Sequence, residues 1–278
     1  MRRILVTGGS GYLGRELLTQ LRALENYKLH ATCFSTATKI EGVEFHQLDL
    51  RDAAGLIELL EQVQPEIIFH TAATMGGDAL LAPDLPGEAE PLILNASRTI
   101  ARWASHEQAR MIHLSTDVVF SGNNAPYHEG DLPHPIHRYG AAKRKAEIAI
   151  LLSRANSAIV RTSLIYGFDP PDARTKALLD GTMRRLFTDE YRNPIHVADL
   201  ARAVIKLIDV EFAGILHIAG PERLSRYEFG QRIAKALDIQ VEILPALASE
   251  SVLIRPKDCT LNCELVRALL PDLEFTKL

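Results

Sequence analysis

Residues 2–18, RRILVTGGSGYLGRELL, decide the fold. An aliphatic run ends at Thr7, glycines stand at Gly8, Gly11 and Gly14, and apolar residues then recur at helical spacing. Glycine is needed where a backbone turns with positive φ, where it must approach a phosphate without a side chain between, and where a helix packs closely on a strand. Three such glycines also fit an ordinary turn. Placed at the first strand-to-helix junction of an alternating chain, they make a dinucleotide the expected ligand, because amide groups at a helix start face negative charge. The candidate contacts in this loop are Gly8, Ser10, Gly11, Tyr12, Leu13 and Gly14.

The alternation continues downstream. Periodicity predicts strands over 28–34, 43–50, 66–73, 110–120 and 157–167, and helices over 12–25, 53–63, 92–107 and from Tyr139 onward. Strands joined through helices imply crossovers, and crossovers imply a parallel sheet covered on both faces. The expected fold is α/β: a Rossmann-type doubly wound sheet over 1–165, with a smaller C-terminal lobe over 166–278 of which about 195–219 returns to the core. Asp199 is a candidate cap for a helix over 197–209, and Ser225 with Glu228 forms a capping box for the next one.

The bulk numbers exclude several classes. With 278 residues and a net charge of −4, the chain has no broad basic field for nucleic acid or an anionic membrane. No apolar run is long enough to cross a bilayer, and the run after Met1 is too short for a signal peptide. Cys33, Cys259 and Cys263 are an odd set that suits a reducing compartment, so a cytoplasmic protein is expected. Cys259 and Cys263 lack partners at ligand spacing, and no metal site is expected. A homodimer is compatible with the sequence, which does not specify it.

The cofactor type turns on the end of the second strand. An acidic residue there would hold the ribose hydroxyls of NAD, but none occurs from Lys28 to Ile40. Ser35, Thr36 and Lys39 can instead donate to a 2′-phosphate, which favours NADP over NAD; Lys39 also fits a solvated loop tip. After the next strand, Asp49 with Leu50 is a candidate for the adenine edge, and Asp49 equally fits a helix cap.

Chemistry is expected where RYGAAKRKAE, residues 138–147, begins a helix. Tyr139 and Lys143, four apart, share one face, which puts a phenol and an ammonium in one small volume. The same run also fits an ordinary solvated face. Ser115, Thr116 and Asp117 end the preceding strand, and ligands of open α/β sheets bind at the carboxyl ends of strands. A free phenol is a poor acid near neutrality, and a neighbouring ammonium favours its phenolate, so Lys143 is expected to lower the Tyr139 pKa. Thr116 either orients a carbonyl or closes a strand-end turn.

TGGSGYLG, STD and YGAAK together resemble the extended short-chain dehydrogenase/reductase superfamily. Within it, STDVVFSG, RTSLIYG, RNPIHVADLA, GILHIAGPERLSRYEF and RPKDCTLNCELVRALL are similar to the dTDP-4-dehydrorhamnose reductase branch, which also includes the regulatory β subunit of methionine adenosyltransferase. The resemblance implies reduction, with NADPH, of a 4-keto group on a deoxysugar nucleotide. Tyr139 would give the proton, Thr116 would orient the carbonyl, and Lys143 would support Tyr139 and the nicotinamide ribose. It also implies His70, Thr71, Ala72, Ala73 and Ser115 beside the cofactor, and Asp117, Tyr166, Arg192 and Arg255 around the substrate. Tyr166 and Arg192 also fit purely structural roles, Arg255 also fits a surface arginine, and His196 fits a packed core histidine. Related dehydratases carry an acid pair after the threonine, whereas Val118 follows Asp117 here, which fits reduction. Two departures from the branch are the stretch 74–90, where an aromatic and an acidic stretch are usual, and Leu164, where a tryptophan is usual. They leave two other readings open: a reductase of a non-nucleotide ketone, and a noncatalytic NADP-binding subunit of a partner enzyme.

Overall fold

The computed structural model describes residues 1–35, 39–73 and 89–278. Of the expected cofactor contacts, Thr36 lies outside the described residues, as does most of the stretch 74–90.

The first part of the chain runs β1 (Arg2–Thr7), α1 (Tyr12–Ala23), β2 (Tyr27–Cys33), β3 (Val43–Gln47), α2 (Ala53–Val63), β4 (Ile67–His70), α3 (Ala89–His106), β5 (Arg110–Thr116), α4 (Arg138–Ser153) and β6 (Ser157–Thr162). Then follow β7 (Ile165–Tyr166), α5 (Ala173–Leu179), β8 (Arg185–Phe187), β9 (Tyr191–Arg192), β10 (Ile195–His196), α6 (Val197–Lys206), β11 (Gly214–His217), β12 (Leu224–Ser225), α7 (Arg226–Ala236), β13 (Leu244–Ala246) and α8 (Glu264–Leu269). Seven parallel strands form the central sheet in the order β11-β6-β5-β4-β1-β2-β3. The order reverses between β1 and β4, and that switch point is where a doubly wound sheet opens a crevice.

Alternate strand residues serve opposite faces, as the pleat requires. Ile4, Val6, Ile67 and Phe69 pack with Leu17, Leu18 and Leu21 of α1 and with Leu200 and Val204 of α6. Leu5, Ile68, Met111 and Ile159 pack on the other side with Leu56 and Leu60 of α2 and Ile100 and Ala104 of α3. Both faces are dry, which is why these strands read as continuous apolar runs rather than alternating ones.

Three local expectations change. The strand predicted over 110–120 stops at Thr116, whose hydroxyl accepts from the Val118 amide at 3.3 Å and starts a 3₁₀ turn over Asp117–Val119. The strand predicted over 157–167 breaks after Thr162, because the Ser163 hydroxyl turns to Asp117 and β7 pairs with β10 outside the main sheet. Helix α6 is capped by the His196 ring, which accepts from the Ala198 amide at 3.3 Å; Asp199 instead binds Arg202 and the Thr276 amide. The capping box of Ser225 and Glu228 is present in both directions.

Candidate active site

At the switch point, Gly8 adopts φ +73°, a region that side chains rarely occupy. A Cβ on it would sit 2.8 Å from the Ala72 Cα, so the chain leaving β4 lies directly over the loop. The Gly8 amide donates to the Thr32 hydroxyl at 3.0 Å. At Gly14 a Cβ would meet the Gly8 carbonyl oxygen at 2.2 Å. Gly14→Ala therefore forces the turn open; a loss of about 1–3 kcal/mol is expected, read as a lower urea midpoint. Helix α1 has Gly11 as N-cap with no side chain bonded to its first amides. Such an uncapped start leaves donors for an anion.

The other expected cofactor contacts vary in burial. Ser10 and Tyr12 are half-buried and Leu13 is buried; the Tyr12 hydroxyl donates to the Pro170 carbonyl at 3.1 Å. Ser35 and Lys39 are exposed and Leu50 is buried. Thr71 donates its hydroxyl to the Thr7 carbonyl, and Ala73 is exposed. The His70 ring is buried between the Thr7 hydroxyl at 2.7 Å and the Ser97 hydroxyl at 3.0 Å; burial first, then the Lys143 charge, pushes its pKa down to about 3. Asp49 does not cap α2: Asp52 does, accepting from the Ala54 and Gly55 amides. The Asp49 carboxylate is taken by the Arg51 guanidinium, which lowers its pKa. Arg51 also lies 5.7 Å from the Phe34 ring centroid, at the tip where a 2′-phosphate is expected, and the sequence reading did not single it out.

Across the crevice α4 crosses the turn after β5. Gly140 allows this, since a Cβ there would lie 2.2 Å from the Val118 carbonyl oxygen. His137 caps the helix, accepting from the Gly140 amide at 3.1 Å, and its ring lies 6.4 Å from that of Tyr139. The Tyr139 ring packs on Ile93, Ala142 and Ala146, within reach of the Asp117 charge. The pKa of its phenol is raised, first by burial and then by the Asp117 carboxylate, with Arg174 opposing. This corrects the expectation of a lowered value. The Lys143 ammonium instead donates to the Leu114 carbonyl at 2.8 Å, and burial takes its pKa down to about 8 against the opposing Glu147 charge.

The run KRKAE is not a solvated face. Lys143 and Glu147 are buried while Ile148, Leu151 and Leu152 of the same helix are exposed. Glu147 accepts from Ser115 at 2.6 Å and from the Arg161 fork at 2.9 and 2.8 Å. Ser115 is therefore bonded within the core.

Beyond Thr116 lies a buried charge cluster. Asp117 accepts from Ser163 at 2.6 Å and lies 3.5 Å from Arg192; burial raises its pKa. Arg192 lies 3.4 Å and Arg255 3.2 Å from Glu190, and the Arg255 guanidinium stands 4.6 Å from the Phe187 ring centroid. With a side chain only 6% exposed, Arg255 is not a surface arginine. Arg226 is buried nearby, its pKa pushed down to about 10 by burial, with Glu190 opposing and Arg174, Arg192 and Arg255 adding to the fall. Arg174, Arg192, Arg226 and Arg255 thus lie near enough to Glu190, Asp117 or one another for their charges to interact, and Arg174 acts on Tyr139 as well. Tyr166 is buried against Phe168, Phe229 and His196, and His196 caps α6 as well. Sequence reading missed Arg174, Glu190 and Arg226. One signal was available: Arg174 and Arg226 stand in the first turns of α5 and α7, where the helix dipole disfavours cations.

A phosphate-type loop at the switch point of a doubly wound sheet, facing a Tyr–Lys helix, defines a nucleotide-binding protein of the extended short-chain dehydrogenase/reductase class. The family model described as RmlD substrate binding domain matches residues 1–273, and the chain belongs to that family. It is 29% identical over 289 residues to methionine adenosyltransferase 2 subunit beta of Rattus norvegicus, covering 96% of this chain and 82% of that protein. A hypothetical dTDP-4-dehydrorhamnose reductase from Sulfolobus tokodaii superposes with a TM-score of 0.83 at 31% identity, over 100% of this chain and 97% of the other. The dTDP-4-dehydrorhamnose reductase of Bacillus anthracis, solved in complex with NADP, gives 0.80 at 26% identity, over 96% and 92%.

Proposed function

We propose that the protein is an NADPH-dependent reductase of a 4-keto-deoxysugar nucleotide, with the cofactor along 1–165 and the sugar nucleotide against the lobe built from 166–278. The observation that carries this reading is the cluster of Arg174, Arg192, Arg226 and Arg255 around Glu190: guanidinium forks suit a diphosphate, which a simple ketone lacks. The glycine loop fits a dinucleotide, because its helix start at Gly11 is uncapped and leaves amide donors for a pyrophosphate. NADP in the Bacillus anthracis relative, the absence of an acidic residue from Lys28 to Ile40, and Arg51 beside Phe34 support the phosphorylated cofactor.

When bound, that cofactor supplies the hydride. The chain's own residues do the rest. Thr116 and Tyr139 hold the keto oxygen, and the Tyr139 hydroxyl gives its proton to the alkoxide that forms there. A phenol with a raised pKa rests protonated at neutral pH, which is the form a proton donor needs. Lys143, still mostly an ammonium at neutral pH, stabilises the phenolate left behind and binds the nicotinamide ribose.

The test is a screen of keto substrates with NADPH and NADH side by side, followed by loss of reduced-nicotinamide absorbance. Turnover of dTDP-4-dehydrorhamnose or a related nucleotide is expected. Arg226→Lys and Arg255→Lys should each raise KM for a nucleotide substrate at least about tenfold, the cost of about 1.4 kcal/mol of lost bidentate binding, with a smaller effect on kcat. An unchanged KM points to a ketone without a diphosphate. The similarity to methionine adenosyltransferase 2 subunit beta favours a second reading, a noncatalytic subunit. Cofactor binding with no turnover of any ketone, and co-purification with a constant partner enzyme, would select it.

A further inference from the structure

A second cluster of chemistry-bearing side chains lies on the strand pair at the edge of the sheet. β2 and β3 run parallel with His30 paired to Glu44 and Thr32 to His46, so the pleat sends His30, Glu44 and His46 to the same face. The His30 Nδ1 lies 3.1 Å from the His46 Nε2 and 3.5 Å from one Glu44 carboxylate oxygen; the other oxygen lies 3.8 Å from the His46 Nε2. These separations bracket the tetrahedral edge of about 3.3 Å that follows from metal–ligand bonds of about 2.0–2.1 Å. One donor atom from each of the three residues lies within 4.8 Å of the other two.

We propose that His30, Glu44 and His46 bind one divalent transition-metal ion of the Zn²⁺ class, with water in the fourth position. The donor set argues for that class: two imidazoles and a carboxylate suit Zn²⁺ and its neighbours, whereas Mg²⁺ and Ca²⁺ take all-oxygen shells. Exposure is graded in the way an open site requires. His30 is buried and its side chain is 4% exposed, that of His46 16%, and that of Glu44 53%, so the ion would enter past Glu44 and keep a solvent-facing position. Neutral imidazole is the ligating form. The His30 Nε2 is buried and without a hydrogen-bond partner among the described residues. β3 is the outermost strand of the sheet, and the ion would tie it to β2 by three side chains in addition to the ladder. The expectation of no metal rests on Cys259 and Cys263, which lack partners at ligand spacing, and does not weigh His30, Glu44 and His46, which come from two strands.

The test uses the full chain stripped with a chelator and titrated with Co²⁺, then with Zn²⁺. One Co²⁺ per chain is expected, with the strong visible bands of a four-coordinate nitrogen and oxygen site, displaced by Zn²⁺, and Zn²⁺ should raise the melting temperature in a concentration-dependent way. Outer-shell changes alone cost metal sites about 10–100-fold, so Glu44→Gln and His46→Ala should each weaken binding by at least about 100-fold. Glu44→Gln keeps the side-chain volume at a half-exposed position and preserves the fold if His46→Ala does not. His106→Ala, at an exposed histidine elsewhere, should bind as the wild type does. Absence of stoichiometric Co²⁺ or Zn²⁺ binding by the wild type, or unchanged affinity in Glu44→Gln, would overturn the proposal.

Discussion

Tyr139→Phe is expected to cut turnover of a keto sugar nucleotide by about 10²–10⁴-fold while NADPH affinity stays within about twofold, because a positioned general acid is worth that much and the ring itself is retained. The change removes one oxygen from a ring held by the cap of α4 and by the close crossing at Gly140. Folding should therefore be unaffected. Stopped-flow absorbance measures the rate, and quenching of cofactor fluorescence measures affinity. The pH dependence has a sign as well. Lys143 is cationic below about 8, so the reductive rate should hold across neutral pH and fall as pH rises beyond that value, when the ammonium that stabilises the phenolate is lost. A rate that climbed with pH through the same window would mean that the phenolate, not the phenol, is the working form.

Glu147→Ala is expected to destabilise the protein by about 3–5 kcal/mol, the usual cost of removing one partner from a buried ion pair. Glu147 and Arg161 are both fully buried. The guanidinium stands 5.0 Å from the Phe120 ring centroid, and one of its nitrogens, Nη1, is already unpartnered. Without the carboxylate, a whole charge would remain in the core under the carboxyl end of β5. Replacing both residues, Glu147→Leu with Arg161→Met, should recover most of the loss, since a buried pair stabilises little beyond an apolar pair of similar volume. Urea denaturation of the wild type and of both variants checks this. A loss below about 1 kcal/mol in Glu147→Ala would show that solvent reaches the site.

What was legible in the sequence was local. The glycine loop combines a strand, a turn and a helix within seventeen residues, 2–18, and each glycine has its own steric reason, so spacing alone carried the inference to the crevice. Tyr139 and Lys143 were legible for the same reason, being one helical turn apart. Their surroundings were not. KRKAE reads as a solvated run because charge ordinarily faces water, yet Lys143 and Glu147 are buried by partners at Leu114, Ser115 and Arg161, all distant in the chain. The same helix leaves Ile148 and Leu152 outside. The arginine cluster draws on Arg174, Arg192, Arg226 and Arg255, which no local pattern connects; only the misplaced charges at the starts of α5 and α7 hinted at it. The lowered Tyr139 pKa failed as an expectation because spacing measures proximity along a helix and says nothing of burial or of Asp117.

Carbonyl reduction in this crevice, with Tyr139 as proton donor, leaves a label on the sugar. It is read in a single-turnover incubation of the protein with dTDP-4-dehydrorhamnose and NADPH deuterated at the transferring position, with the sugar product followed by mass spectrometry and NMR. Deuterium at C4 of the product is expected with the wild type, and a rate lower by about two or more orders of magnitude with Tyr139→Phe. Unlabelled sugar recovered alongside fully bound, unoxidised NADPH would contradict this expectation.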